Sequence, residues 1–116
     1  MSAVELGDHI FDSLGYLAGA DEHRLADLND AFRDPGVRAV FATTGGRGAY
    51  RIADGLDYDA VRRDPKPLIG FSDITVLHLA LWNQVGHGLQ PATVPLGTLA
   101  TIDPTAGTLT VAPGVR

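Results

Sequence analysis

The chain of 116 residues is 45% hydrophobic and carries 9 Lys and Arg against 14 Asp and Glu, a formal net charge of -5. This length allows one small domain at most, and the acidic balance disfavours nucleic-acid binding, which needs a basic face. The absence of cysteine excludes disulfides and thiolate metal sites. The sequence also contains no apolar run of about 18 residues, the length that would predict a membrane-spanning helix.

The N-terminal third of the sequence predicts one helix and one strand. The first segment, MSAVELGDHIF, is acidic and lacks the apolar region of a signal peptide, which favours a cytoplasmic protein. From Asp21, which we expect to be the N-cap, apolar residues at helical spacing predict a helix that ends at Asp34-Pro35-Gly36. The following run, VRAVFA, is short and apolar on both faces, which is typical of a buried parallel strand.

The middle third continues this alternation. After the stretch ATTGGRGAYRI, apolar spacing predicts a short helix and then a further helical turn that ends at Pro65. KPLIGF predicts a second strand, and Ser72 or Asp73 is expected to cap the helix DITVLHLALWNQV, which is apolar nearly all round and should be buried on more than one side. The pattern predicts an α/β layered domain with short parallel strands and flanking helices.

The last third has a different composition. QPATVPLGT contains two prolines and predicts a loop, and TLATIDPTAGTLTVAP predicts a C-terminal β-hairpin around residues 103–107. We therefore expect residues 1–90 to form a partial α/β domain and residues 91–116 to form a loop and hairpin.

The glycine turn is the first candidate site. A strand, a glycine turn and a helix can mount a nucleophile or cradle an anion, but this turn has no serine, cysteine or lysine. Two interpretations of this turn remain open for Gly45, Gly46 and Gly48. They form a cradle for an oxyanion or a carboxylate, or they form a tight turn that binds nothing, because glycine adopts positive φ readily in either case. The four histidines (His9, His23, His78 and His87) show no paired spacing such as H-x3-H, so neither a metal nor a cofactor is predicted.

Several stretches together resemble the LD-carboxypeptidase family of serine peptidases, which contains muramoyl-tetrapeptide carboxypeptidases and microcin-resistance peptidases. The matching stretches, in chain order, are GYLAG (15–19), RLADLNDAFRDPGVRAVFAT (24–43), GGRGAYRIADGLDYD (45–59) and DPKPLIGFSDITVLHLALW (64–82). The combination of GFSDIT after DPKPLI, downstream of the glycine turn, is the most specific part. The resemblance implies a peptide or muropeptide ligand and release of a C-terminal D-residue, typically D-alanine from murein tetrapeptide during cytoplasmic wall recycling.

The resemblance also implies where the reactive groups lie. The family's nucleophile is expected to be a serine in a Gly-Gly-x-x-Ser turn, which puts Ala49 at its position. The glycines would then form the oxyanion and substrate cradle, with Arg47 and Tyr50 as further binding residues. The Glu and His of the triad are expected from a C-terminal domain towards which the hairpin leads and which this chain lacks. A serine hydroxyl needs a neighbouring base, so the resemblance predicts an inactive chain.

Supporting roles are assigned to three further residues. Ser72 is most simply a helix N-cap. A shifted alignment, in which another hydroxyl replaces Ala49 as the nucleophile, competes with the assignment to Ala49, but neither Ser72 nor Thr43 and Thr44 beside the turn is a convincing replacement without a base in view. Asp73 either orients the turn by hydrogen bonds or lies in the first helical turn, where the dipole favours an anion. His87 follows the helix as a His-Gly pair does in the family.

Two further assignments keep an alternative without a catalytic role. Arg47 either pairs with a substrate carboxylate or is a solvated loop cation. His78 is expected to be a hydrogen-bonded core histidine rather than a catalytic base.

Three functional hypotheses follow from these patterns. The chain is an inactive fragment or degenerate member of the serine carboxypeptidases, in which Ala49→Ser would restore D-alanine release in a full-length context. Alternatively, it is a non-catalytic peptide- or carboxylate-binding module, or a subunit completed by another chain or by a second copy. The third hypothesis is a truncated reading frame with no independent role.

Overall fold

The computed structural model describes residues 3–85, 100–103 and 105–111. The helices are α1 (Asp21–Arg33), α2 (Tyr50–Ala53), α3 (Tyr58–Arg63) and α4 (Thr75–Val85), with a 3-10 turn at Ser72–Ile74, and the strands are β1 (Val40–Phe41), β2 (Leu68–Ile69), β3 (Ala100–Asp103) and β4 (Thr108–Val111). Within these ranges, no helix has the length and apolar character needed to cross a membrane.

Strands β1 and β2 form a small parallel sheet. Val40 pairs with Leu68 and Phe41 with Ile69, and the Ala42 amide donates to the Ile69 carbonyl at 2.8 Å. Helices α2 and α3 connect the two strands, so the α/β class and the parallel pairing predicted from the sequence are confirmed. Because parallel strands end at the same edge of a sheet, the glycine turn after β1 and the segment after β2 lie side by side.

The core lies between the four helices. Its buried cluster contains Phe32 of α1, Ile52 of α2, Leu56, Val61 of α3 and Leu77 of α4, together with Ala49 and Ala53. Asn29 of α1 ties two of these elements together, because its amide donates to the Gly55 carbonyl at 3.0 Å and its carbonyl accepts from the Asp57 amide at 2.8 Å. The core therefore fixes the helices that flank the glycine turn.

Two local predictions are wrong. Ala20, not Asp21, is the N-cap of α1, because the Asp21 carboxylate instead bonds to the Arg51 guanidinium at 2.9 Å. Helix α4 is not buried on more than one side, since Leu79 is 63% exposed and Trp82 is 49% exposed. The reason is that α2 and α3 pack against the face of α4 that carries Leu77, and leave these two side chains outside the cluster.

The described residues near the C-terminus form a separate antiparallel pair. β3 pairs with β4 from Ala100 opposite Val111 to Asp103 opposite Thr108. In the connection, the Asp103 carboxylate accepts the Thr105 amide at 2.9 Å and the Ala106 amide at 3.0 Å, as aspartate does in tight turns. The chain divides into two compact units. Strands β3 and β4 belong to the unit that comprises residues 1–6 and 92–116, and the α/β core belongs to the unit that comprises residues 7–91. The predicted loop QPATVPLGT lies outside the described residues.

The stability of the α/β core is expected to depend on pH through Asp57. Its carboxylate caps α3 by accepting the Ala60 amide at 2.9 Å and pairs with Arg33 at 2.7 Å. These contacts hold the pKa of Asp57 below the ordinary 3.8, the capping hydrogen bond being the larger cause. A lowered folded pKa contributes stability above about pH 4 that is lost as the pH falls through the folded value.

Asp57→Asn retains a capping oxygen but removes the charge, which provides a test. Urea unfolding should show Asp57→Asn to be less stable than the parent near pH 6, with the difference shrinking below about pH 4. Asp30→Asn, which changes an exposed carboxylate on α1, is the matched control and should follow the parent at each pH. A difference between Asp57→Asn and the parent that does not change with pH would contradict the assignment.

Candidate functional site

The glycine turn and Ser72 meet at the carboxyl edge of the parallel sheet. Gly45 follows β1, and Ser72 follows β2. A Cβ atom added to Gly45 would lie 2.8 Å from the Ser72 Cβ and 3.2 Å from the Phe71 carbonyl oxygen. Real Cβ atoms do not approach other atoms so closely, so a residue without a side chain is required for this contact. The two segments therefore form one site.

Ser72 has an unusual backbone conformation. Its φ is +56°, and it is the only non-glycine residue with positive φ in the described part of the chain. Such a conformation costs about 1–3 kcal/mol and persists where the surrounding structure imposes it, often at active sites. Ser72 is also exposed and lies between a strand and a helix. The α/β-hydrolases present their nucleophilic serine on a strained strand-to-helix turn of this general kind.

The N-cap role expected for Ser72 is wrong. Phe71 occupies the N-cap position and makes no side-chain capping bond, and Ser72 is the first residue of the 3-10 turn. The Phe71 carbonyl accepts the Ile74 amide at 3.2 Å, which closes the turn directly behind the serine. The Ser72 hydroxyl is therefore not used to cap this helix.

Backbone amides beside Ser72 are suited to binding an oxyanion. Asp73 is the second residue of the 3-10 turn, and the first amides of a helical segment have no partner within it. Gly46 has a φ of +114°, and no heavy atom lies within 4 Å of the position that its Cβ would occupy. The turn is thus open at Gly46, next to the Gly45–Ser72 contact.

Ala49 lies in a different environment. It has ordinary helical dihedral angles (φ -58°, ψ -36°) at the start of α2. It is only 4% exposed, and it packs in the core cluster. A hydroxyl on this side chain would face apolar neighbours rather than solvent, so the geometry does not favour Ala49 as the position of a nucleophile.

Asp73 connects Ala49 to the serine turn. The Asp73 carboxylate accepts the Ala49 backbone amide at 2.8 Å across the two segments. This hydrogen bond supports the first of the two roles predicted for Asp73, the orientation of the glycine turn. Asp73 holds the start of α2 in position relative to Ser72.

Removal of this acceptor is expected to destabilise the protein. Asp73→Ala leaves the partly buried Ala49 amide without a partner, which costs about 1–3 kcal/mol. Asp73→Asn is the matched control, because its side-chain carbonyl can still accept the bond. Urea unfolding should rank the parent first, Asp73→Asn second and Asp73→Ala last. Equal stability of Asp73→Ala and the parent would show that the bond is not important.

The other predicted residues have different positions around the turn. Arg47 and Tyr50 are exposed, as are Thr43 and Thr44. Gly48 is buried with a φ of +94°, and its carbonyl accepts Arg24 Nη1 at 3.2 Å, which ties the turn to α1.

Of the two remaining histidines considered for the site, one has a structural contact. His78 Nε2 lies 2.9 Å from the Leu68 carbonyl oxygen, inside the fold. His87 lies outside the described residues.

Comparison with known proteins identifies similar sequences. The sequence-family model that describes the LD-carboxypeptidase N-terminal domain matches residues 2–89 of this chain. A probable murein peptide carboxypeptidase of Bacillus subtilis is 48% identical over 83 residues, 72% of this chain and 26% of that protein. A murein tetrapeptide carboxypeptidase of Pseudomonas aeruginosa is 41% identical over 100 residues, 85% of this chain and 32% of that protein.

Similar solved structures include a protein of related sequence. The microcin C7 self-immunity protein MccF, in its wild-type apo state, superposes with a TM-score of 0.66 at 29% identity, over 69% of this chain and 24% of that one. The chain thus spans about a quarter to a third of the length of these curated relatives.

Proposed function

Because the chain belongs to the LD-carboxypeptidase family, represented by the N-terminal domain, we propose that it carries the nucleophile of a serine carboxypeptidase acting on murein peptides. The observation that carries this proposal is the positive φ of the exposed Ser72 at a strand-to-helix turn. We assign the nucleophile to Ser72 rather than to Ala49. With Ser72 as the nucleophile, the alanine at position 49 is no longer a reason to expect an inactive chain.

In the proposed mechanism, the Ser72 Oγ attacks the carbonyl carbon of the bond before the C-terminal D-residue. The amides of Asp73 and of the Gly45–Gly46 turn donate to the oxyanion as it forms. The hydroxyl proton passes to the family's histidine and then to the leaving amine, so that the D-residue departs and an acyl-enzyme remains. Water then hydrolyses the acyl-enzyme and regenerates the serine.

The partners of Ser72 come, in this proposal, from the rest of the enzyme. The family's Glu and His are expected from its C-terminal domain. The exposed apolar side chains of Leu79 and Trp82 on α4 support a surface that another domain, a complementing chain or a second copy covers. The family match ends at residue 89, which supports the boundary expected near residue 90, with the hairpin leading towards that domain.

The substrate class follows from the relatives and from the turn. Proteins named for murein peptide and murein tetrapeptide are among the similar sequences, which supports a murein peptide as the substrate. A terminal D-alanine is what the family resemblance implies. Arg47 projects from the exposed part of the turn as a cation, and we assign it to the terminal carboxylate of this peptide.

A hybrid enzyme tests the proposed function. Residues 2–89 replace the matching segment of the Bacillus subtilis relative, which is 48% identical, and D-alanine release from murein tetrapeptide is measured. We expect release from the D-terminal peptide and none from its L-terminal isomer. A hybrid that unfolds cooperatively yet releases no D-alanine, while the intact relative does, would contradict the proposal.

A further inference from the structure

A cluster of histidine and carboxylate side chains lies at the start of α1 and outside the serine site. His9, Asp12 and His23 each offer one ligand atom, and these atoms lie within 4.8 Å of one another. The imidazole rings of His9 and His23 are stacked, with centroids 4.2 Å apart and an interplanar angle of 24°. None of these residues contributes to the proposed peptidase chemistry, so the cluster is a separate feature of the fold.

His9 is held in one orientation by Asp27. Its Nδ1 lies 2.6 Å from Asp27 Oδ1, and its backbone amide donates to Asp27 Oδ2 at 2.9 Å. Because a carboxylate accepts, Nδ1 carries the proton, and the lone pair of Nε2 is left to bind a ligand. A carboxylate that fixes the tautomer of a histidine in this way is the usual support for a metal-binding imidazole.

Asp12 and His23 form the other half of the cluster. His23 Nδ1 lies 2.7 Å from Asp12 Oδ2. Asp12 is packed against the backbone at Gly19, where an added Cβ would lie only 2.7 Å from the Asp12 Cβ. A tetrahedral ion with bonds of about 2.0–2.1 Å separates its ligand atoms by about 3.3 Å. An ion between these two groups would replace their hydrogen bond, take the place of the Nδ1 proton and move the two atoms apart by about 0.6 Å. Ligand atoms as far apart as 4.8 Å would have to move closer together.

We propose that His9, Asp12 and His23 bind a divalent transition-metal ion of the zinc type, with Asp27 orienting His9. Two imidazoles and one carboxylate suit zinc and its neighbours, whereas calcium and magnesium prefer oxygen ligands throughout. Three protein ligands leave one tetrahedral position for water. Since His9 and Asp12 precede α1 and His23 lies in its first turn, the ion fastens the N-terminal segment to this helix.

Zinc titration of the untagged, metal-free 116-residue chain by calorimetry tests the proposal. We expect one zinc ion per chain, with the dissociation constant raised at least about tenfold in His9→Ala and in His23→Ala. Asp27→Asn should keep the stoichiometry and weaken binding about 10- to 100-fold, as for other residues that support a ligand. Glu22→Gln, which changes an exposed neighbour on α1, and His78→Gln should bind like the parent.

Thermal unfolding with and without zinc covers the case in which a variant is poorly folded. Zinc should raise the melting temperature of the parent and of Glu22→Gln, but not that of Asp12→Asn. The absence of saturable binding by the folded parent would overturn the proposal. So would unchanged binding in His9→Ala and His23→Ala, or loss of binding in His87→Ala alone, because the ion would then be held elsewhere.

Discussion

Ser72→Ala is expected to reduce kcat/KM of the hybrid enzyme by at least about 10³-fold, because removal of a nucleophile leaves only the contributions of the oxyanion hole and of substrate binding. The side chain is exposed, and alanine meets the same backbone strain at positive φ, so the unfolding midpoint should change little. The initial rate of D-alanine release is measured over a range of murein tetrapeptide concentrations, which gives kcat/KM. Ser13→Ala, which changes another exposed serine, is the matched control and should retain full activity.

The same assay separates Ser72 from Ala49. Ala49→Ser should give no increase in activity, because the side chain lies in the core cluster. It should lower stability by about 1–3 kcal/mol for a buried hydroxyl without a partner. Full activity of Ser72→Ala, or activity that appears only with Ala49→Ser, would contradict the assignment.

Gly45→Ala is expected to have the second-largest effect, with kcat reduced about 10²-fold, since a displacement of about 1 Å at a reacting group has this consequence. The new Cβ would lie 2.8 Å from the Ser72 Cβ and 3.2 Å from the Ser72 hydroxyl oxygen. The two segments must move apart, which displaces the nucleophile from its oxyanion donors. Overpacking of this kind should also lower stability by about 1–3 kcal/mol.

The control for Gly45→Ala is another glycine-to-alanine change. At Gly36, an added Cβ meets the Asp34 carboxylate at 3.1 Å, which is the end of an exposed side chain that can move away. Gly36→Ala should therefore retain the parent kcat. If Gly45→Ala also retained it, the close contact between the glycine turn and Ser72 would have no part in catalysis.

The fold was largely predictable because its local patterns agree with the final packing. The apolar spacing that leads to Phe32, and the stop at Pro35, predicted helix α1, which the structure has at Asp21–Arg33. The strands were harder, since VRAVFA and KPLIGF each contribute only two residues to the ladder. Strand length depends on which backbone groups find a partner in the other segment, and periodicity carries no information about that.

The site was less predictable, because its main features arise from contacts between distant segments. A serine before a helix is ordinarily an N-cap. Gly70-Phe71-Ser72 matches the start of the G-x-S-x-G motif but lacks its last glycine, and this partial match is too weak to predict the positive φ of Ser72. That conformation accompanies the close approach of Gly45, which comes from another strand. Similarly, Ala49 is buried only because it packs with residues such as Leu77 of α4, and His9 meets His23 only after the N-terminal segment folds onto α1.

Labelling with a fluorophosphonate tests most directly whether Ser72 is the nucleophile. This reagent forms a covalent phosphonyl ester with an activated serine, and mass spectrometry of the digested hybrid enzyme locates the modified residue. We expect one adduct on the peptide that contains Ser72, formed in step with loss of activity and absent in Ser72→Ala. An adduct on Thr43 or Thr44, or complete inactivation with Ser72 unmodified, would contradict it.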